Sequence, residues 1–311
     1  MHDSNSIEIA VKIDHQVQLE NLDLSHSGYT HNNDFTNYYD SIYQSAVKSF
    51  FQLSVQRIYY GSEFCELRIP SYKELESVFE SIKKLGLAIT FLTPPVTNYG
   101  IERIRQLFPL LKKYNCEVSV NDYGVLELLH SLSFEGNIIS GRILDKSYHD
   151  GRMNSYVFNS YGNEYGKAYL KSPAVSAKQY QMLLLKHGIQ RYDIDIPLYG
   201  IDLSSKISQT HFSAYLPYGY VTTGRNCMMR NLGKENYSGF NLTNIVCERK
   251  CKDYDQLMEQ PISGIQLSSD YTRRRSIHMM RKGNTIFYAT VLSNENKTQF
   301  DRIIVQRTLM L

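Results

Sequence analysis

The chain has 311 residues, 42% of them apolar, enough for one large core. Its formal net charge of +3 excludes a strongly electrostatic nucleic-acid binder, and the densest basic run, Arg273-Arg274-Arg275, is short and reads as a solvated loop. No stretch approaches 18 apolar residues, and the first residues lack the basic and apolar regions of a signal peptide, so a cytoplasmic protein without a membrane span is expected.

Residues 7–13 read as a first strand, residues 22–34 as a long polar loop, and residues 35–53 as a helix with Ile42, Ala46, Val47 and Phe50 on one side. A strand follows at 56–60. Ser71 opens the clearest helix, with Glu74 three residues on in the capping-box arrangement. Leu75, Val78, Phe79, Ile82 and Leu85 continue it at helical spacing, and Gly86 ends it. Residues 87–92 form a short buried strand stopped by Pro94-Pro95. Ile101, Ile104, Leu107, Phe108 and Leu111 mark another helix, which Pro109 should kink by removing a backbone donor. Strand 116–120, a cap at Asn121-Asp122, helix 123–132 and strand 137–140 complete the regular part.

Strand alternating with helix argues a parallel sheet with helices outside. Repeated this often, it predicts an α/β fold of the (β/α) TIM-like barrel type with mostly parallel strands. Neither G-x-G-x-x-G nor the phosphate-binding G-x-x-x-x-G-K-[ST] occurs, so no nucleotide fold is signalled. Residues 144–173, rich in Tyr, Gly, Asn and Ser, break the rhythm and read as an insertion over the barrel mouth. Ser176 reads as the cap of a helix to His187 with Tyr180, Leu183 and Leu184 inward. Strands are expected at 191–196 and, once or twice, in 210–223. From 276 the chain becomes β-like: 276–281 and 285–291 flank a hairpin at Lys282-Gly283-Asn284, and 301–306 reads as a last strand. One domain spanning 1–311 is the economical organisation.

Three of the five cysteines fall in one window, Thr223-Gly224-Arg225-Asn226-Cys227 followed by Cys247-Glu248-Arg249-Lys250-Cys251. A fourth, Cys65, follows the strand-like Arg57-Ile58-Tyr59-Tyr60 and Gly61; Cys227 follows the run 215–223 and Gly224. Strand, then glycine, then a reactive residue is how a loop presents a side chain at the carboxyl end of a sheet. The four thiolates are therefore expected to meet and hold one metal centre, either an iron–sulfur cluster or structural zinc. Unrelated core cysteines are the alternative, but a cytosolic setting favours metal over disulfides. Cys116, inside a buried strand, reads as core packing.

The run Ile58-Tyr59-Tyr60-Gly61-Ser62-Glu63-Phe64-Cys65 resembles a loop of the collagenase-like peptidase family (family U, number thirty-two). Val118-Ser119-Val120-Asn121-Asp122-Tyr123-Gly124 resembles that family's strand end. Tyr218-Gly219-Tyr220, Arg225, Cys227 and the Cys247/Cys251 pair are most similar to its UbiV-like branch. The resemblance runs discontinuously over 56–291. It implies a barrel-like fold and a [4Fe–4S] cluster on Cys65, Cys227, Cys247 and Cys251. It also implies a role in oxygen-independent hydroxylation, in a heterodimer with a UbiU-like family member. Gly141-Arg142-Ile143-Leu144-Asp145 with Gly151-Arg152 looks more like other branches, some of which modify RNA, so the substrate need not be a ubiquinone precursor.

Four protein thiolates saturate a cubane cluster, which suggests electron transfer or structural ordering. A third cysteine in radical-SAM spacing is missing, since Tyr254 occupies its place. Glu63, Asn121, Asp122, Arg142, Asp193 and Arg225 are expected at the barrel mouth. Glu63 and Asp122 could exchange protons, or serve as a loop hydrogen bond and a helix N-cap. Arg142 and Arg225 could bind an anion such as a carboxylate, or form cross-loop ion pairs. Asp193 and Asp195 alternate on one strand face, so both point inward or both outward. His26, His31 and His149 read as solvent-facing. The 25 tyrosines suit a pocket for a ring substrate or an ordinary core. The family label carries peptidase activity as an alternative function, but no Ser/His or Cys/His arrangement and no H-E-x-x-H supports it. A non-catalytic protein built on structural zinc is another.

Overall fold

The computed structural model describes residues 7–29, 34–145, 147–150, 153, 158–159, 163–204, 209–231, 247–258 and 279–310. The Arg273–Arg275 run, His31, Gly151-Arg152 and part of the 144–173 insertion lie outside the described residues.

Seven strands follow one another around a parallel barrel: β1 (Glu8–Ile13), β2 (Arg57–Gly61), β3 (Ala88–Leu92), β4 (Glu117–Val120), β5 (Ile138–Ser140), β6 (Arg191–Ile194) and β7 (His211–Leu216). The chain then leaves for a four-stranded antiparallel sheet, order β8-β11-β10-β9, made of β8 (Tyr218–Thr223), β9 (Gln256–Met258), β10 (Met279–Lys282) and β11 (Thr285–Ala289). It returns as β12 (Arg302–Gln306), which pairs with both β7 and β1 and closes the eight-stranded barrel. The fold is thus a closed (β/α) TIM-like barrel carrying a β-rich addition between its seventh and eighth strands.

The helices include α1 (Asp34–Val47), α2 (Tyr72–Lys84), α3 (Asn98–Lys113), α4 (Tyr123–Ser131), the buried single turn α5 (Arg142–Asp145), α6 (Glu164–Lys171) and α7 (Lys178–Lys186). The Ser71/Glu74 capping box forms as expected, and Leu75, Val78, Phe79 and Ile82 bury the α2 stripe. α3 continues through Pro109, whose missing N–H removes only one bond while Ile104, Leu107, Leu110 and Leu111 hold the helix down. Two local expectations are corrected. Ala177, not Ser176, stands at the N-cap of α7, because Ser176 closes a buried 3-10 turn. Leu184 is buried as expected, but Leu183 is exposed and Gln181 is buried in its place.

The run 215–223 is broken at Pro217. Proline has no N–H to donate to a ladder, so β7 stays in the barrel and β8 starts a different sheet. A second core cluster then joins the two parts, with Tyr39, Phe64 and Ile143 packed beside Tyr218, Tyr220, Met280 and Phe287. Among the described residues no helix is long and apolar enough to cross a membrane.

Candidate functional site: four thiols on one cavity

The site starts at Gly61, the last residue of β2. Its φ is +135°, and an added Cβ would come within 2.4 Å of the Leu92 carbonyl oxygen. Only glycine permits this close approach to β3. The chain then turns: the Ser62 hydroxyl donates to the Cys65 carbonyl (2.9 Å) and accepts from the Cys65 N–H (3.3 Å), which presents the Cys65 thiol.

Cys227 arrives differently from the sequence expectation. It follows β8, a strand of the antiparallel sheet, not a strand of the barrel. The turn between β10 and β11 locks the two loops together. The Asn284 side-chain amide donates to the Phe64 carbonyl at 2.7 Å and to the Gly224 carbonyl at 2.6 Å. Asn284 sits in the expected Lys282-Gly283-Asn284 hairpin, but its clamping role has no motif. The third segment carries Cys247 and, in a 3-10 turn after left-handed Arg249 (φ 55°), Cys251.

Cys65, Cys227, Cys247 and Cys251 all line one half-open cavity of ≈ 840 Å³. Phe64, Tyr99, Ile143 and Tyr220 give it apolar and aromatic wall; Arg68 and Arg225 add positive charge. Burial, then the neighbouring sulfurs of Cys251, Cys227 and Cys247, pushes the Cys65 thiol up to about 12. Burial likewise raises Cys227 and Cys251, while the charges of Arg68 and Lys282 oppose the rise at Cys251. Desolvated thiols of this kind hold their protons until a cation replaces them. Among the described residues, however, no three His, Cys, Asp or Glu side chains stand close enough to grip a single metal ion. Cys116 is elsewhere, buried in the barrel wall with its thiol directed at the Leu111 carbonyl (3.5 Å).

Of the other expected mouth residues, only Arg225 lines this cavity. Its guanidinium reaches the Val96 carbonyl at 3.4 Å and makes no ion pair among the described residues. Glu63 and Arg142, expected as catalytic groups at the mouth, pair with each other in a solvent-free network inside the barrel. Arg142 donates to Glu63 (3.1 and 2.9 Å), to Asp195 (2.9 Å) and to the Tyr218 carbonyl (2.9 Å), and its guanidinium lies 3.8 Å from the Tyr215 ring centre. Lys12 completes the Glu63 shell at 2.5 Å. Two cations thus share the Glu63 carboxylate inside the barrel.

Asp122 is the N-cap of α4, accepting from Gly124 N (2.6 Å) and Val96 N (3.2 Å). Asn121 ties strand ends together, donating to the Thr93 carbonyl (3.0 Å) and accepting from Ile143 N (2.9 Å). Asp193 and Asp195 both point inward. Asp193 accepts from Tyr59 and Ser119, each at 3.2 Å, and Asp195 accepts from Tyr220 N at 3.1 Å. His149 is buried rather than solvent-facing, with its ring edge-on to Tyr220.

No family model and no curated protein matches the sequence. A solved structure of the U32 peptidase Mk0906 is similar to this chain over 99% of its length and 96% of the other chain, at 9% identity and a TM-score of 0.41.

Proposed function

We propose that Cys65, Cys227, Cys247 and Cys251 hold a [4Fe–4S] cluster and that the chain is the cluster-bearing component of an oxygen-independent hydroxylation or related biosynthetic modification. The observation that carries this reading is the convergence of four thiols, from three separate chain segments, on one cavity. A cubane takes one thiolate per iron, and the four cysteines lining the cavity would supply one each.

With four protein ligands the bound cluster would supply electron transfer or local order, with no iron left open for substrate. The chain's own groups do the rest. Arg68, close enough to feel both Cys65 and Cys251, offsets the negative charge that four thiolates bring. Arg225 is placed to take the carboxylate of a substrate, while Phe64, Tyr99 and Tyr220 form a wall against which a ring could pack. A UbiU-like partner subunit follows from the resemblance carried by the cysteine window.

Anaerobic purification tests this reading. A brown protein with about four irons and four sulfides per chain, whose iron falls steeply in Cys247→Ala, is expected. A colourless wild type holding one zinc would overturn it.

A further inference from the structure

Arg68 also lines a second, smaller cavity, and the chemistry there differs. Its volume is ≈ 50 Å³, room for about four water-sized groups. Asp14 reaches it from the end of β1, Arg68 from the loop after β2, Glu74 from the first turn of α2, and Arg249 and Lys252 from the Cys251 turn. Both carboxylates are already committed. Asp14 Oδ2 pairs with Arg68 Nη2 at 3.1 Å, and Glu74 Oε2 accepts from the Ser71 N–H and hydroxyl, each at 2.8 Å. Arg249 and Lys252 make no ion pair among the described residues.

Two buried atoms of the residues lining it have no hydrogen-bond partner. The Arg68 side chain is only 8% exposed, yet its Nη1 has no acceptor. Asp14 Oδ1, also buried, has no donor. A buried guanidinium N–H asks for an anion, and a carboxylate oxygen beside it asks for a proton on that anion. Burial first, and then the charges of Lys252 and Arg68 against that of Asp14, hold the neighbouring His15 below its ordinary value.

We propose that this cavity binds phosphate, either the free ion or the terminal group of a small phosphomonoester. Arg68, Arg249 and Lys252 hold its oxygens, and Asp14 Oδ1 accepts its remaining proton. Protonated phosphate satisfies both orphaned atoms; sulfate, which carries no proton at neutral pH, satisfies only Arg68. The site therefore discriminates between two anions of like size and charge. It needs no cluster and goes beyond the function proposed above.

Calorimetric titration of the full chain, purified anaerobically, with inorganic phosphate, sulfate and glycerol phosphate tests it. Phosphate is expected to bind at least about tenfold more tightly than sulfate, and Lys252→Gln and Arg249→Gln to weaken it about tenfold each with melting temperatures unchanged. Asp14→Asn is expected to shrink the preference over sulfate. Glycerol phosphate binding beside phosphate identifies a terminal phosphate as the ligand; binding of phosphate alone identifies the free ion. No heat with either phosphate compound, or equal affinity for sulfate, would overturn the proposal. Iron measured on the same samples separates the two readings, because an iron-free wild type that binds phosphate removes the cluster and leaves this site standing.

Discussion

The side-chain amide of Asn284 donates to the backbone carbonyl of Phe64 at 2.7 Å, and its second N–H reaches the Gly224 carbonyl at 2.6 Å. Phe64 immediately precedes Cys65, and Gly224 lies three residues before Cys227. One side chain thus sets the separation of two thiol-bearing loops that belong to different sheets. Asn284→Ala frees both carbonyls, at a cost of about 1–2 kcal/mol in stability. Iron retention after anaerobic purification is expected to fall further than that modest loss explains. Asn284→Asp, which cannot donate, should behave like the alanine variant. Urea unfolding beside iron analysis checks this; wild-type iron in a destabilised Asn284→Ala protein would show that Asn284 does not position the thiols.

Gly61 makes a related prediction from backbone geometry. At φ +135° an L side chain is strained, and its Cβ would sit 2.4 Å from the Leu92 oxygen. Gly61→Ala should cost about 2–3 kcal/mol and displace the loop carrying Cys65. A thermal melt and thiol accessibility measured with an alkylating reagent would report both effects together. Unchanged stability would mean that β2 and β3 part there without penalty.

How much of this was legible along the chain depended on distance. The Ser71/Glu74 box and the apolar stripe of α2 are local signals, and the alternation from residue 57 to residue 140 reports strands that pair with their sequence neighbours. The layout of glycine before Cys65 and Cys227 pointed to one shared rim, and all four sulfurs line one cavity. Their route there was not legible. β8 pairs with β11 some sixty residues on, so nothing near Pro217 shows that the run changes sheets. Arg142, Glu63, Lys12 and Asp195 looked like independent mouth or strand residues. Their pairing depends on barrel closure, which places residues 12, 63, 142 and 195 around one point. His149 was misread for the same reason: the rings that bury it, Tyr220 and Tyr288, lie far along the chain.

That charged knot has a pH signature. Burial pushes the Glu63 carboxyl up, but Arg142 and Lys12 outweigh it and hold the group down at about 2, against an ordinary 4.5. A depressed folded value means that Glu63 stabilises the fold at neutral pH. The contribution shrinks as pH falls below about 4.5 and is gone once pH passes about 2. Glu63→Ala leaves Lys12 without its carboxylate inside the barrel and Arg142 with Asp195 alone, and should cost about 3–5 kcal/mol at pH 7. Its stability should also respond less to acid than that of the wild type. Denaturant titrations of both proteins from pH 7 to pH 3 would show this. A variant as stable as wild type at pH 7 would show that Glu63 does not hold this knot together.

Asp193 works in the opposite sense. Burial raises its carboxyl to about 7, with Arg302 opposing and Glu117 adding to the rise. Below that value the folded protein holds a proton on Asp193, whereas the unfolded chain releases it near 3.8. Between about 3.8 and about 7 the folded state therefore binds the extra proton, and this part of the stability falls as pH rises, levelling off above about 7. Asp193→Asn keeps a neutral group against the hydroxyls of Tyr59 and Ser119 and removes the ionisation. The variant should match wild type near pH 4 and exceed it above pH 7 by as much as ~4 kcal/mol. The decisive quantity is the difference between the two proteins in unfolding free energy across pH 4–8, since most other titrations cancel in it. A difference that stays constant over that range would mean Asp193 is ionised throughout, with Arg302 overcoming burial.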